Sequence, residues 1–132
     1  MVDLGALARE YEDVRVTAPR DLPKAEAAPE VVRRALSALV DNARRHARQH
    51  VSLHLSASGD RVRLAVRDDG PGLDPALGDK AFEPGVRGDG DAVGGAGLGL
   101  PLSRRLARSC GGEVAAGAGA GGCFVLELPA VR

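Results

Sequence analysis

The segment whose residue types are best suited to binding a ligand is Asp-Asp-Gly-Pro-Gly at residues 68–72. It follows a run from Val62 to Val66 in which apolar residues alternate with polar ones, a period of two that predicts a half-buried strand. If the strand continues, Asp68 points inward and Asp69 faces water. A buried, ionised carboxylate only accepts hydrogen bonds, so Asp68 suits an exocyclic amine such as that of adenine. Gly70 and Gly72 would let a flat ligand approach the backbone. A plain turn at the end of a strand explains the same residues.

A second candidate binding segment, GGAGLGL at residues 94–100, leads directly into a predicted helix. Glycine backbone beside a helix N-terminus offers unpaired N–H groups and the positive end of the helix dipole to a phosphate. The segment does not follow a strand, as a dinucleotide-binding turn does, and the chain contains no GxxxxGK[ST]. A Rossmann site and a Walker-type phosphate loop are therefore excluded.

Two amphipathic helices must position these segments, because apolar residues recur at three- and four-residue spacing over residues 30–48 and 97–110. On the first helix, at about 100° per residue, Asn42 falls beside the apolar stripe. Ala38 and Arg45 lie on the same flank, one turn to either side. A polar amide is thus predicted where this helix meets the rest of the fold.

Short strands account for most of the remaining chain. They are predicted over residues 14–17, on both sides of an SGD turn at 58–60, and as a hairpin of Glu113 to Ala116 with Cys123 to Leu128. Residues 75–96 are rich in glycine and proline and show neither the helical nor the strand period of apolar residues, so this segment is predicted to be a long surface loop. Loops of this length in a small domain commonly act as lids, and Phe82 is the predicted anchor of this one.

Composition limits the class of protein. The 132 residues predict one domain, with 18 basic and 18 acidic side chains and a formal net charge of zero. Binding to nucleic acid is therefore not expected, since neither bulk positive charge nor a set of stacking aromatics is present. The apolar runs are too short for a membrane span, so we expect a cytoplasmic domain without direct membrane contact. Cys110 and Cys123 are expected to be reduced packing residues.

Taken in order, four motifs resemble those of the catalytic, ATP-binding domain of sensor histidine kinases. These motifs are ALSALVDNARRHA (35–47), DDGPG (68–72), KAFEPGVRG (80–88) and GGAGLGLPLSRRLARSCGGEV (94–114). The resemblance covers about Val14 to Leu128. It implies the left-handed ATP-binding (Bergerat) fold shared with gyrase, the Hsp90 chaperones and MutL: a two-layer α/β sandwich with a mixed sheet of about five strands and about three helices on one face. ATP and Mg²⁺ are the implied cofactors.

The resemblance also implies roles for individual residues. Asn42 matches the asparagine that holds the magnesium ion between the phosphates, and Asp68 matches the acceptor for the adenine amine. Arg87 matches an arginine that reaches the terminal phosphate when the lid closes. The other positions implied to contact nucleotide are Arg45, His46, Gly70, Gly72, Gly95, Gly97, Leu98 and Gly99.

The chain departs from the family pattern in two places. Ala38 stands where the hydrolysing relatives place a glutamate base and histidine kinases usually a second asparagine, which argues against a gyrase-like ATPase. In the third motif, residues 80–88, Phe82 is the single aromatic residue, and Gly85 and Val86 stand in place of the family's second aromatic pair. This departure predicts a looser lid.

Two alternative functions remain open: a stand-alone anti-sigma-factor-type serine kinase, and a degenerate interaction module without enzymatic activity.

The phosphate acceptor is not found in the sequence. His46, His50 and His54 are followed by Ala, Val and Leu, which is not the His-Glu/Asp context of an acceptor helix. The resemblance therefore implies a partner, a dimerisation domain with the acceptor histidine in the same protein or on another chain, and a response regulator downstream. We expect either an excised C-terminal domain, such as the cytoplasmic part of a membrane-anchored sensor, or a split kinase.

Overall fold

A computed structural model describes residues 1–71, 82, 99–117 and 121–131. These ranges contain three helices and five strands. In chain order they are α1 (Leu4–Ala8), β1 (Arg15–Thr17), α2 (Pro29–His46), β2 (Val51–Ser58), β3 (Arg61–Asp68), α3 (Gly99–Ser109), β4 (Glu113–Ala116) and β5 (Cys123–Pro129). The proposed lid over residues 75–96 lies outside the described residues except for Phe82.

The five strands form one mixed sheet in the order β1-β2-β3-β5-β4. β1 pairs with β2 in parallel, and the other three pairings are antiparallel. The register places Val51 opposite Asp68 and Arg67 opposite Cys123. The end of β3 therefore lies between the start of β2 and the start of β5, which brings three chain segments together around Asp68.

The helices cover one face of this sheet, because each central strand directs alternate apolar side chains toward them. The opposite face carries polar residues such as His54 and Arg63, both exposed. The predicted two-layer arrangement is thus confirmed. The buried core comprises Val51, Leu53, Leu55, Val62, Leu64, Val66, Phe124, Leu126 and Leu128 from the sheet, and Val32, Leu36, Leu39, Val40 and Ala43 from α2.

Helix α2 begins at Pro29, where the absent N–H costs nothing, and ends at His46 rather than at the predicted Arg48. Ala47 leaves the helical conformation with φ −67° and ψ 145°. The backbone N–H groups of Arg48 and Gln49 donate to the Asp69 carboxylate instead of continuing the helix. A contact that is distant in sequence thus sets the end of α2.

The start of α2 lacks a side-chain cap, because Ala28 occupies the N-cap position with extended φ −71° and ψ 125°. Aspartate at an N-cap accepts a hydrogen bond from the first turn and interacts favourably with the helix dipole. We therefore expect Ala28→Asp to raise the free energy of unfolding by about 1 kcal/mol, and the melting temperature by about 4 °C. Thermal and urea unfolding would measure this.

Ala28→Glu is the matched control, since it adds the same charge on a side chain too long for the capping geometry. It should stabilise less than Ala28→Asp. Equal melting temperatures for Ala28→Asp and the unchanged domain would show that water already satisfies the first turn of α2.

Helix α3 packs along α2 and ends at a pair of glycines. The hydroxyl of Ser103, fully buried, donates to the carbonyl oxygen of Ala35 at 3.0 Å. At the other end Gly111 adopts φ +79°, and the N–H of Gly112 donates to the Ala107 carbonyl at 2.9 Å. This is the hydrogen-bond pattern of a glycine-terminated helix, and it fixes where α3 turns into β4.

The sequence did not identify α1. Its five residues are too short for a periodic pattern, but Asp3 caps it by accepting from the N–H of Ala6 at 3.0 Å. Leu4 and Leu7 are buried in the core. Among the described residues, no helix combines the length and the apolar character needed to cross a membrane.

Both cysteines are free, Cys123 buried and Cys110 half-buried. Burial, above all, raises the pKa of the Cys123 thiol. A thiol with a raised pKa is a poor nucleophile at neutral pH, so Cys123 acts in packing.

Candidate functional site

The Asp68 carboxylate is buried at the end of β3, as its position in the strand predicted. Its Oδ1 accepts hydrogen bonds from the backbone N–H groups of Gly70, at 2.8 Å, and Gly122, at 3.3 Å. Among the described residues no group donates to Oδ2. Within the described residues, one oxygen is thus held by backbone N–H groups, and the other has no donor there.

Two glycines pack so closely around this carboxylate that a side chain would not fit. A Cβ atom on Gly122 would lie 2.2 Å from Oδ2 of Asp68. A Cβ atom on Gly70 would lie 2.1 Å from the carbonyl oxygen of His46, at the end of α2. The sequence predicted the importance of Gly70 but treated Gly122 only as part of a hairpin turn. No local signal distinguishes Gly122, because its contact with Asp68 depends on the pairing of β3 with β5.

Asp69 is exposed, as predicted, but it also has structural partners that the sequence did not reveal. Its Oδ1 accepts from the N–H groups of Arg48, at 2.7 Å, and Gln49, at 3.0 Å. The N–H of Asp69 donates to the carbonyl oxygen of His50 at 3.2 Å. The hydrogen bond from Gln49 above all lowers the pKa of Asp69, with those from His50 and Arg48 acting in the same direction against partial desolvation.

Asn42 is half-buried, and at about 100° per residue it lies on the same flank of α2 as Ala35 and Ala38. Along this flank, Ser103 bonds to the Ala35 carbonyl, and a Cβ on Gly99 would lie 3.7 Å from the Ala38 carbonyl oxygen. The two helices therefore run antiparallel, since Ala35 is near Ser103 and the later residue Ala38 is near the earlier residue Gly99. Asn42, one turn beyond Ala38, lies toward the N-terminal end of α3.

Of the other predicted site residues, three lie within the described part of the chain and five lie outside it. Arg45 and His46 are in the last turn of α2, and both are exposed. Gly99 is the first residue of α3. Gly72, Arg87, Gly95, Gly97 and Leu98 lie outside the described residues, so their roles stay predictions.

Phe82 is buried, in agreement with its predicted role as an anchor. Its ring packs edge-on against Phe124, with centroids 5.7 Å apart and planes at 90°. The Arg104 guanidinium lies over the Phe82 ring at 4.0 Å from its centroid and also bonds to Glu113 at 2.9 Å. Phe82 is therefore held between β5 and α3 by aromatic and cation–π contacts.

A surface depression of about 440 Å³ adjoins the carboxylate. It lies where β2, β3 and the turn before β5 meet, so Asp68 is buried by packing but adjoins open space. The residues that line it are His50, Ser52, Arg67, Asp68, Asp69, Gly70 and Gly121.

Comparison with known families assigns the chain. The family model described as histidine kinase-, DNA gyrase B-, and HSP90-like ATPase matches residues 27–132. The chain belongs to this family. The fold is the one that histidine kinase catalytic domains adopt, so the predicted resemblance and fold class are confirmed.

Curated relatives of the chain include sensor proteins and sensor histidine kinases. The alginate biosynthesis sensor protein KinB of Pseudomonas aeruginosa is 36% identical over 113 residues, which cover 83% of this chain and 19% of that protein. The sensor histidine kinase MtrB of Mycolicibacterium paratuberculosis is 38% identical over 131 residues, covering 92% of this chain and 23% of that protein. The chain thus spans about a fifth of the length of these relatives.

Two solved structures resemble the chain over nearly its whole length. Full-length ShkA in complex with AMPPNP superposes with a TM-score of 0.77 and 32% identity, covering 98% of this chain and 28% of that one. The ATP-binding domain of PrrB from Mycobacterium tuberculosis gives a TM-score of 0.75 and 25% identity, covering 99% and 96%.

Proposed function

We propose that this chain binds Mg-ATP and presents its terminal phosphate to a histidine on a dimerisation domain that is not part of the chain. The observation that carries the proposal is the Asp68 carboxylate, buried with Oδ1 held by two backbone N–H groups and with no donor to Oδ2 among the described residues. Family membership and the sensor kinases among the relatives support it. We infer that the domain acts in the cytoplasm, upstream of a response regulator.

Asp68 supplies recognition of adenine. Its Oδ2 accepts a hydrogen bond from the exocyclic amine, while Gly70 and Gly72 allow the base to approach the backbone. A guanine carbonyl at the same position would face a second acceptor, so GTP should bind much more weakly than ATP. The complex of the related ShkA with AMPPNP supports an adenine nucleotide as ligand.

Asn42 and the N-terminal end of α3 supply the phosphate side. An amide oxygen is a ligand that Mg²⁺ accepts, and Mg²⁺ is commonly held by few protein groups together with phosphates and water, which fits the half-buried Asn42. The bound ion would neutralise phosphate charge. Further contacts with the nucleotide are proposed for Arg45, His46, Arg87, Gly95, Gly97, Leu98 and Gly99, with Arg45 and Arg87 on the phosphates.

The position on α2 where the hydrolysing relatives carry a base has none in this chain. Ala38, one turn before Asn42 on the same flank of α2, has no group that could take a proton from water. The three histidines, His46, His50 and His54, are all exposed, and none has an acceptor context in the sequence. The base and the acceptor of the transfer are therefore assigned to the dimerisation domain.

Calorimetric titration with AMPPNP, with and without magnesium, tests the binding half of the proposal. We expect binding that magnesium strengthens. Absence of binding in the folded domain would favour the alternative of a degenerate interaction module, for which Ala38 is the specific observation.

Incubation with ATP labelled at the terminal phosphate tests the division of labour. Alone, the domain should take up no stable label and should hydrolyse ATP very slowly. With the dimerisation domain of its own kinase, label should appear on that partner in an acid-labile, base-stable form. Stable label on this chain would overturn the assignment.

Gly122 offers a direct test of the carboxylate's geometry. In Gly122→Ala the added methyl would lie 2.2 Å from Oδ2, so the carboxylate must shift. We expect affinity for AMPPNP to fall about 10-fold, roughly the loss of one hydrogen bond to a charged group. Gly112→Ala is the control, since its methyl would lie 2.2 Å from the Glu127 carbonyl oxygen, with comparable strain elsewhere. Equal affinities for the two variants would contradict this role of Gly122.

A further inference from the structure

We propose that Asp69 is a positioning residue that ties the end of α2 to the Asp68 segment, so that Asn42 and Asp68 keep the separation that one nucleotide requires. The proposal rests on the proposed function, since it concerns how the adenine and phosphate halves of that site are held together. Asp69 itself would touch neither the base nor the metal ion.

The contacts join two short segments, residues 46–50 after α2 and residues 68–70 at the end of β3. The Asp69 carboxylate accepts from the N–H groups of Arg48, at 2.7 Å, and Gln49, at 3.0 and 3.1 Å. The N–H of Asp69 donates to the His50 carbonyl oxygen at 3.2 Å. Gly70 packs so closely on the His46 carbonyl that a Cβ would lie 2.1 Å from it. The two segments are thus fixed to each other through several backbone groups.

The position of this connection determines what it controls. Asn42 is one turn before His46, and a helix transmits position along its axis as a rigid element, with a rise of about 1.5 Å per residue. Asp68 directly precedes Asp69 on β3. Fixing residues 48 and 49 to Asp69 therefore fixes the metal side of the site relative to the adenine side.

The carboxylate chemistry suits this role. Charge-assisted hydrogen bonds to backbone N–H groups are shorter and stronger than neutral ones. An asparagine would keep one accepting oxygen and lose the charge, and an alanine would lose all the bonds. Graded effects are therefore expected along the series Asp69, Asn and Ala.

The test compares a ligand that spans both halves with one that occupies a single half. Affinities for Mg-AMPPNP, by calorimetry, and for adenosine, by NMR titration, are measured for the unchanged domain, Asp69→Asn and Asp69→Ala. We expect Asp69→Ala to weaken Mg-AMPPNP at least 10-fold and adenosine less than 3-fold, with Asp69→Asn intermediate for Mg-AMPPNP. Loss of a merely structural residue would not separate the two ligands.

Asp13→Ala is the matched control. Asp13 is also an exposed carboxylate with a lowered pKa, caused chiefly by its hydrogen bond to Arg44, and it also contacts α2. Its partner is a side chain rather than the backbone at the end of α2, so its removal should leave both affinities unchanged.

Several outcomes would overturn the inference. Unchanged Mg-AMPPNP affinity in Asp69→Ala would do so, as would equal losses for Mg-AMPPNP and adenosine. If Asp69→Ala fails to fold, Asp69→Asn carries the test together with amide hydrogen exchange of Arg48 and Gln49 in the free domain. That exchange should be faster in Asp69→Asn, and unchanged exchange would refute the connection. Failure of the unchanged domain to bind Mg-AMPPNP would instead refute the proposed function.

Discussion

Replacing Asp68 with alanine is expected to weaken the binding of ATP analogues about 100-fold while the domain stays folded. The carboxylate is the acceptor proposed for the adenine amine, and its loss also leaves the N–H groups of Gly70 and Gly122 without their partner. Hydrogen bonds to charged groups contribute about 1.5–3 kcal/mol each, so a loss of affinity of about 100-fold is expected. Calorimetry with AMPPNP gives the affinity, and a cooperative melt shows that the fold persists.

Asp68→Asn separates recognition from packing in the same experiment. The amide keeps one oxygen for the N–H groups of Gly70 and Gly122 but presents an NH₂ group in place of Oδ2. An NH₂ group would face the adenine amine donor to donor, whereas it could donate to the carbonyl of inosine. We therefore expect Asp68→Asn to bind ATP more weakly and to have a smaller ratio of ATP affinity to ITP affinity. Unchanged ATP affinity in a folded Asp68 variant would refute the adenine site.

Replacing Asn42 with alanine should remove most of the magnesium dependence of binding and leave adenine recognition in place. Asn42 acts on the phosphates through the ion, so Mg-AMPPNP should lose about 10-fold and ADP without metal should lose least. Titrations of both ligands with and without magnesium measure the difference.

The control for Asn42→Ala is Asp41→Ala, the adjacent exposed residue, which pairs with Arg44 at 3.9 Å on another flank of α2. Asp41→Ala should keep the full magnesium effect. Equal losses of adenosine and Mg-AMPPNP affinity in Asn42→Ala would assign Asn42 a structural role instead.

Features that depend on local periodicity were predictable from the sequence. The direction of Asp68 followed from the alternation in β3, because successive side chains of a strand point to opposite faces. The flank that carries Asn42 followed from the helical period of α2. The mixed five-stranded sheet was implied by the family resemblance, and α1 was missed because five residues are too few for a pattern.

Chain pairing decided the rest of the site. Gly122 and Asp68 are 54 residues apart, and their contact exists only because β5 pairs with β3 in this register. Asp69 and Arg48 are 21 residues apart, and their hydrogen bond decides where α2 ends. The sequence by itself determined that Asp68 points inward and Asp69 outward, since that depends on a few neighbouring residues. Only the tertiary structure decided which backbone groups they contact. Backbone N–H groups and glycines carry no sequence signal for their partners, which are set by how distant segments pair.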